Sequence, residues 1–471
     1  MLTLLTAALL AVSGPVAIAA PAGGRPGQPT ALRVENLVEP IGIDAAKPLL
    51  SWLPARDQAA YEIRATLDSP SRDLWDSGRV RSAGTSNVAY GGPALHARDH
   101  VRWQVRTWDT AGRVSPWSAQ SSWEMGLLSA ADWSARWIEN PSYPQGTIEF
   151  LDEVNWGGAI IRIPWQLYLT YGDTRTMTTY YDNMVAWLDY EAANKAANNG
   201  DIPGLGDWSA TDNTTPMQLP ITAGYYTAAS TMADIAKVLG KADDHAKYTA
   251  LATQLAAEFT TRFRHVDATG VFYGSDSEAS NAMALDAGLV APADRGAVLD
   301  RLVASVRKAG NHVTTGSVAL GPLFRALQAG NRDDVLYDMV VNPTSPGYGY
   351  LIAGGHTTLS ESLDGSGSQN HHFLGEVDAW FVRGVAGIQQ TPGSVGYRTL
   401  TIAPGVVGDL THASASYRTP LGTVSSSWTK SGHEFRLRVT VPPGATATVR
   451  LPGSAAARTV GSGEHTFTTS I

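Results

Sequence analysis

A glutamate and a histidine pair lie close together in the C-terminal half of this 471-residue chain. Glu361 stands ten residues before the pair His371 and His372, and small polar residues make up most of the segment between them. A carboxylate and an imidazole held near one another can orient a water molecule and take its proton, which is the task of the base in a hydrolase. The spacing therefore predicts a hydrolytic site, and the alternative is a surface loop that carries an incidental glutamate.

The same three side chains do not follow the spacing of a metal site. Ligands on one face of a helix stand three or four residues apart, and Glu361 has no such relation to either histidine. We therefore assign no metal and no cofactor to this segment.

Helices are the elements that must position the Glu361 segment. From about residue 156 to 390, apolar residues recur at steps of three and four, as in the run from Met177 to Leu188. Similar amphipathic stretches occupy 224–240, 243–263, 278–288, 294–309 and 317–329. Short loops containing Gly or Asp join them, so the pattern predicts stacked helical hairpins that form an α/α toroid.

Strand-like segments flank the helical region on both sides. Between about residues 30 and 137, apolar and polar residues alternate with period two, as in 60–65 and 101–108, and turn residues separate the runs. This spacing predicts an antiparallel β-sandwich of the fibronectin type. Alternating segments return from about residue 396. We therefore predict a multidomain chain with a β-sandwich at 30–137, a helical domain at 150–393 and a C-terminal β-sandwich at 394–471.

The composition describes a globular protein without a basic surface. Hydrophobic residues make up 43% and charged residues 17% of the chain. A net charge of −8 and a pI near 5.8 argue against nucleic acid or an anionic membrane as a partner. Fourteen Trp and seventeen Tyr offer faces for stacking on sugar rings, although most of them can equally anchor the core. These numbers leave the oligomeric state open.

The N-terminal residues predict export. An apolar run from Leu2 to Val12 is broken at Ser13-Gly14-Pro15, and Ala17-Ile18-Ala19 fits a small-x-small cleavage site. The run is too short to act as a membrane anchor. We therefore interpret residues 1–20 as a signal peptide and expect a secreted protein. Because the chain has no cysteine, we expect no disulfide and no thiolate site.

The order of several motifs resembles that of the bacterial α-L-rhamnosidases. Leu74–Gly78, Trp103–Arg106 and Trp133–Ile138 look like the fibronectin-like module of these enzymes. Farther on, Gly206-Asp207-Trp208 and Thr357–Glu361 are similar to motifs of their helical barrel. The resemblance covers nearly all residues after about 30. It implies a central (α/α)6 barrel, rhamnosides as the carbohydrate partner, and removal of terminal α-L-rhamnose by an inverting mechanism.

One part of the family pattern is missing. In the family, a large β domain and the first barrel helices follow the fibronectin-like module, and those helices hold a Cys-containing motif whose acidic residue is the general acid. Here fewer than twenty residues separate Trp137 from Trp156, and the chain has no cysteine. We therefore predict an internal deletion between Trp137 and Trp156 that leaves the barrel incomplete. Gly158 also stands where family members often have Asp.

The resemblance assigns roles to four residues. Glu361 matches the general base, and His371 matches a sugar-contacting histidine or, alternatively, a histidine at a helix start bonded to the Glu361 loop. Trp208 matches a stacking face. Asp207 matches a hydroxyl acceptor or loop organiser, and its alternative is a turn carboxylate bonded to backbone amides. Glu153 is a weaker candidate for the missing acid.

The wall of the sugar site also departs from the family pattern. Ser360 and Leu363 replace aromatic residues that usually stand there in the family, which thins the wall expected around the sugar.

Three interpretations follow from these observations. The first is a secreted α-L-rhamnosidase, impaired because its acid segment is missing. The second is a non-catalytic carbohydrate-binding protein that retains Trp208, His371 and Glu361 as a half-site. The third is a chain that does not fold stably, since an open toroid exposes an apolar flank.

Overall fold

The structure is a computed structural model that describes residues 26–68, 71–132, 153–454 and 456–471. The predicted signal peptide at 1–20 and most of the predicted deletion site at 137–156 lie outside these residues. The chain divides into two compact units. One contains the described residues up to Thr85 together with Ala89–Leu128, and the other contains Ser86–Val88 together with the described residues from Ser129 to Ile471.

The N-terminal β domain consists of two sheets. Its strands are β1 (Thr30–Val34), β2 (Leu49–Leu53), β3 (Gln58–Asp68), β4 (Ser71–Asp76), β5 (Val88–Ala89), β6 (His100–Asp109) and β7 (Ser121–Glu124). One sheet has the order β1-β2-β5 and the other the order β4-β3-β6-β7. Along β6 buried and more accessible residues alternate, and Trp52, Trp103 and Trp123 are almost fully buried. The predicted N-terminal β-sandwich is therefore confirmed.

Helices dominate the first part of the second unit. They are α1 (Val154–Gly157), α2 (Ala159–Tyr171), α3 (Arg175–Thr179), α4 (Tyr181–Ala197), α5 (Gln218–Val238), α6 (Ala242–Phe263), α7 (Glu278–Asp286), α8 (Arg295–Lys308), α9 (Leu320–Ala329), α10 (Asp333–Val341), α11 (Tyr348–Ala353) and α12 (Glu376–Trp380). A short hairpin of β8 (Arg264–Asp267) and β9 (Gly270–Tyr273) lies between α6 and α7. No helix of the described ranges is long and apolar enough to cross a membrane.

The helices pack as a row of hairpins. Helices α2, α5, α7, α9 and α12 contact one another in this order, and α6, α8 and α10 pack against α5, α7 and α9 respectively. The amphipathic stretches predicted from the sequence correspond to α5–α9. This arrangement agrees with the predicted α/α toroid, in which one helix of each hairpin belongs to an inner row.

Strands complete the second unit. They are β10 (Ile388–Gln390), β11 (Thr399–Ile402), β12 (His412–Thr419), β13 (Gly422–Ser431), β14 (Glu434–Val441), β15 (Thr446–Arg450), β16 (Ala457–Val460) and β17 (Gly463–Ser470). They form two sheets with the orders β10-β11-β15-β16 and β12-β13-β14-β17. The C-terminal β-sandwich is therefore confirmed. The exact domain boundaries stay a prediction, because the second unit contains both the helices and these sheets.

A buried carboxyl group begins α7. Ser277 caps this helix, since its hydroxyl accepts a hydrogen bond from the N–H of Ser280 at 3.1 Å. The next residue, Glu278, is buried, and its Oε2 accepts from the N–H of Thr314 at 3.1 Å. Within the described part of the chain, its Oε1 has no hydrogen-bond partner. Burial raises the pKa of Glu278 from 4.5 to about 7.

We expect Glu278→Gln to stabilise the protein above pH 7 but not near pH 4.5. Between these values the unfolded chain releases the Glu278 proton before the folded chain does, so the free energy of unfolding falls as pH rises. Glutamine keeps the acceptor for Thr314 and carries no charge. Urea unfolding at pH 8 should show a gain on the order of 1–3 kcal/mol.

Glu434→Gln is the control, because Glu434 is exposed at the start of β14. This variant should unfold like the wild type at both pH values. A Glu278→Gln protein less stable than the wild type at pH 8 would contradict the reasoning.

Candidate functional site

Glu361 lies in the loop between α11 and α12, where the chain doubles back on itself. The N–H of Glu361 donates to the carbonyl of Ser368 at 2.7 Å, and the N–H of Ser368 donates to Glu361 Oε2 at 3.3 Å. The Glu361 side chain remains partly exposed. These two contacts fix the direction of the carboxylate while leaving it accessible to a water molecule.

The structure brings His371 next to Glu361, as predicted from their spacing. His371 Nδ1 lies 4.0 Å from Glu361 Oε2 and 3.3 Å from the hydroxyl of Ser368. The N–H of His371 donates to the carbonyl of Leu359 at 2.9 Å. The edge of its ring meets Phe373, with the ring centroids 4.9 Å apart. His371 is thus bonded to the Glu361 loop, as the alternative interpretation expected, and it still reaches the carboxylate.

Asp207 is partly buried beneath the neighbouring loop. Its Oδ2 accepts from the N–H of Gly316 at 2.8 Å, and its Oδ1 accepts from the N–H of Ala319 at 2.9 Å. Burial raises the pKa of the Asp207 carboxyl, although these amides oppose the rise. Both oxygens are therefore engaged by the backbone. This geometry is that of the alternative, a carboxylate bonded to backbone amides, and it also suits a loop organiser better than an acceptor for a sugar hydroxyl.

Trp208 follows Asp207 and is 44% exposed. Its carbonyl accepts from the N–H of Ser317 at 2.8 Å, so this backbone bond joins the same two loops as the Asp207 carboxylate. The indole is thus held by its backbone while its side chain remains accessible. An exposed aromatic side chain on a fixed backbone is suited to stacking on a ligand ring.

Two adjoining cavities lie at these loops. The first, which we call the Glu361 cavity, has a volume of about 430 Å³ and is lined by Glu361 together with Thr211, Thr315 and Asp364. Phe373 belongs to its wall and also to the wall of the second cavity. A ligand that spans Phe373 would therefore reach both spaces.

The second space, which we call the Arg162 cavity, has a volume of about 540 Å³. Trp208 and His371 line it, together with residues of α2, α5, α7 and α9. The inner row of helices therefore curves around this cavity. Of the four predicted residues, Glu361 faces the first cavity, Trp208 and His371 face the second, and Asp207 supports the loop behind them.

The sequence indicated Glu153 as a candidate acid, but not the other three charged residues of the Arg162 cavity. Arg162 and Arg325 line it, as do the carboxylates of Glu153 and Asp286. One signal was available, since Arg162 is the only charged residue in the apolar run that forms α2. A cation within such a run is costly unless it faces a polar space. The described residues contain no group of three or more side chains suited to holding a metal ion.

Comparison with known proteins agrees with this architecture. Residues 131–385, more than half of the chain, match the model of the bacterial alpha-L-rhamnosidase 6 hairpin glycosidase domain. Residues 29–129 match an N-terminal immunoglobulin domain of the Rha78A type, and residues 387–466 match the bacterial alpha-L-rhamnosidase C-terminal domain. The predicted sandwich–helical–sandwich order is the order of these three matches.

Curated relatives are similar over part of their length. An alpha-L-rhamnosidase of Streptomyces avermitilis is 32% identical over 342 residues, which are 66% of this chain and 32% of that protein. An alpha-L-rhamnosidase of an Alteromonas species is 28% identical over 61% of this chain and 33% of its own length. The aligned part of the chain thus spans about a third of the length of the relatives it matches.

Solved structures share the fold. The crystal structure of Streptomyces avermitilis alpha-L-rhamnosidase complexed with L-rhamnose superimposes with a TM-score of 0.81 at 16% identity, covering 94% of this chain and 100% of that chain. An alpha-L-rhamnosidase from Dictyoglumus thermophilum gives a TM-score of 0.80 at 16% identity, with coverage of 94% and 99%. Because residues 131–385 match the model of this family, the chain belongs to the bacterial α-L-rhamnosidase family of six-hairpin glycosidases.

Proposed function

We propose that this protein binds terminal α-L-rhamnose and hydrolyses rhamnosides with inversion, slowly because its general acid is missing. Glu361 is the proposed base, and Trp208 and His371 are the proposed sugar contacts. Secretion, which rests on residues 1–20, is part of the same proposal. The chain's membership of a rhamnosidase family supports the choice of sugar.

The observation that carries this proposal is the pairing of Glu361 with His371. Their side chains approach to 4.0 Å at the boundary between two cavities, and both are partly exposed. A water molecule beside Glu361 Oε2 would have an acceptor for its proton there. His371 Nδ1 would lie within reach to orient the same water.

Inversion requires the base and the acid to act from opposite sides of the sugar ring. In this chain the base acts from the Glu361 cavity, so the leaving group belongs in the Arg162 cavity. Trp208 and His371 lie at the edge of that second space, where they can hold the ring between water and leaving group. General-base assistance of this kind is worth about 10²–10⁴-fold in rate.

The two carboxylates in the wall of the Arg162 cavity are poorly placed to donate a proton. Glu153 Oε1 accepts from the N–H of Asn155 at 3.0 Å, and its Oε2 accepts from the N–H of Leu205. Asp286 accepts two hydrogen bonds from Arg325, at 2.9 and 2.8 Å. Both oxygens of each carboxylate thus already accept hydrogen bonds from the protein. The proposed impairment follows from this arrangement.

We expect Glu361→Gln to lower the hydrolysis of 4-nitrophenyl α-L-rhamnoside by about 10²-fold or more, because an amide cannot accept the proton of water. Folding should be unchanged, since the substitution keeps the shape of the side chain. Asp364→Asn is the matched control, because Asp364 lines the same cavity but its Oδ1 is engaged by the N–H of Ser366 at 2.9 Å. Full activity in Glu361→Gln would remove Glu361 as the base.

The leaving group should control the rate. A nitrophenolate departs without protonation, whereas an alkoxide needs an acid, so 4-nitrophenyl rhamnoside should be hydrolysed at least about 10²-fold faster than methyl α-L-rhamnoside. Release of rhamnose from both compounds at equal enzyme concentration measures the ratio. Equal rates would mean that an acid is present, and Glu153→Gln would then be the variant to make.

A second candidate function is rhamnose binding without turnover. The hydrogen bonds that occupy the carboxylates of Glu153 and Asp286 favour this function, because a site without an acid can still hold the sugar on Trp208. Calorimetric binding of L-rhamnose by a protein that releases no product from 4-nitrophenyl rhamnoside would select this function over hydrolysis.

A further inference from the structure

Arg162 is an exposed cation that lines the Arg162 cavity. Its guanidinium carries five N–H donors, and within the described ranges this side chain makes one hydrogen bond, to the carbonyl of Asn155. Among the described residues, no carboxylate lies within ion-pair distance of it. Although Arg162 is exposed, partial desolvation by the cavity wall and the charge of Arg325 lower the pKa of its guanidinium, which stays charged at neutral pH.

The nearby carboxylates are already committed to other groups. Asp286 binds Arg325 through two hydrogen bonds, and Glu376 lies 3.7 Å from the same guanidinium. Glu153 accepts from the backbone N–H groups of Asn155 and Leu205. Arg162 is thus the one guanidinium in this wall that lacks a protein counter-charge within the described ranges, since Arg325 is paired with Asp286.

We propose that the Arg162 cavity receives a negatively charged aglycone, so that the preferred substrate is a rhamnoside whose neighbouring unit carries an oxyanion. This inference rests on the proposed function and adds the substrate class to it. A uronic acid carboxylate and a sulfate ester share this chemistry.

The geometry of the guanidinium supports an oxyanion in particular. Its planar fork matches two oxygens of a carboxylate or sulfate, and such charge-assisted bonds are stronger than those to neutral hydroxyls. The cavity of about 540 Å³ lies in the size range of small-molecule sites, so it has room for a sugar unit beside Trp208. The partner oxyanion would also offset the repulsion between Arg162 and Arg325.

Binding is the direct test, because it does not depend on turnover. Calorimetry of the full chain would compare three disaccharides: α-L-rhamnosyl-glucose, α-L-rhamnosyl-glucuronate and α-L-rhamnosyl-glucose 6-sulfate. We expect at least one acidic disaccharide to bind about tenfold or more tightly than the neutral one, and the preference to shrink as NaCl is raised. The acidic disaccharide that binds more tightly shows whether the cavity prefers a carboxylate or a sulfate ester.

Arg162→Gln should remove the preference while keeping the affinity for rhamnosyl-glucose. Arg295→Gln is the matched control, because Arg295 is exposed, lies outside both cavities, and makes its one hydrogen bond within the described ranges to the carbonyl of Val290. Equal affinity for all three disaccharides in the wild type, or a preference that survives in Arg162→Gln, would overturn this inference and leave the proposed function intact. Failure to bind any of the three would overturn both.

Discussion

The cleft depends on the partly buried carboxylate of Asp207. A carboxylate removed from water is costly unless donors replace its hydration, and here the N–H groups of Gly316 and Ala319 do so at 2.8 and 2.9 Å. Both donors belong to the segment that leads into α9, whereas Asp207 belongs to the segment before α5. The carboxylate therefore joins two loops across the inner row of helices. Trp208, the next residue, is fixed at the edge of the Arg162 cavity as a result.

The opposite edge of the cleft is held in a different way. The loop of Glu361 and His371 is closed by its own backbone hydrogen bonds through Ser368 and Leu359. Hydrogen bonds between distant segments thus hold the wall that carries Trp208, and a local turn holds the wall that carries Glu361. Phe373 lines both cavities. This division gives the cleft the carboxylate of Glu361, the proposed base, on one side and guanidinium groups on the other. In the proposed reaction Glu361 activates water, whereas the two carboxylates of the Arg162 cavity already accept hydrogen bonds from the protein.

The sequence predicted the elements of the fold better than the interior of the site. Apolar residues recur with period two in 101–108 and with period 3.6 in 243–263. Each period indicates an element with one buried face, so β6 and α6 could be predicted from neighbouring residues alone. The nearness of Glu361 and His371 was also predictable, because only nine residues separate them and most of these are small or polar residues that favour a turn. The partners of Asp207 were not, since Gly316 and Ala319 are 109 and 112 residues away in sequence. Likewise, α2 shows that Arg162 is unusual, but only the packing of α5, α7 and α9 shows which space it faces.

The most direct measurement is L-rhamnose binding to Asp207→Asn by titration calorimetry. An asparagine has one acceptor oxygen and would turn an amide donor towards Gly316 or Ala319, leaving a buried N–H unpaired at a cost of about 1–3 kcal/mol. If the Asp207 carboxylate organises the cleft, affinity should fall about tenfold or more, although the residue does not contact the sugar. Asp212→Asn, which alters a local turn at Thr214, should bind like the wild type. Unchanged affinity in a folded Asp207→Asn protein would contradict the account.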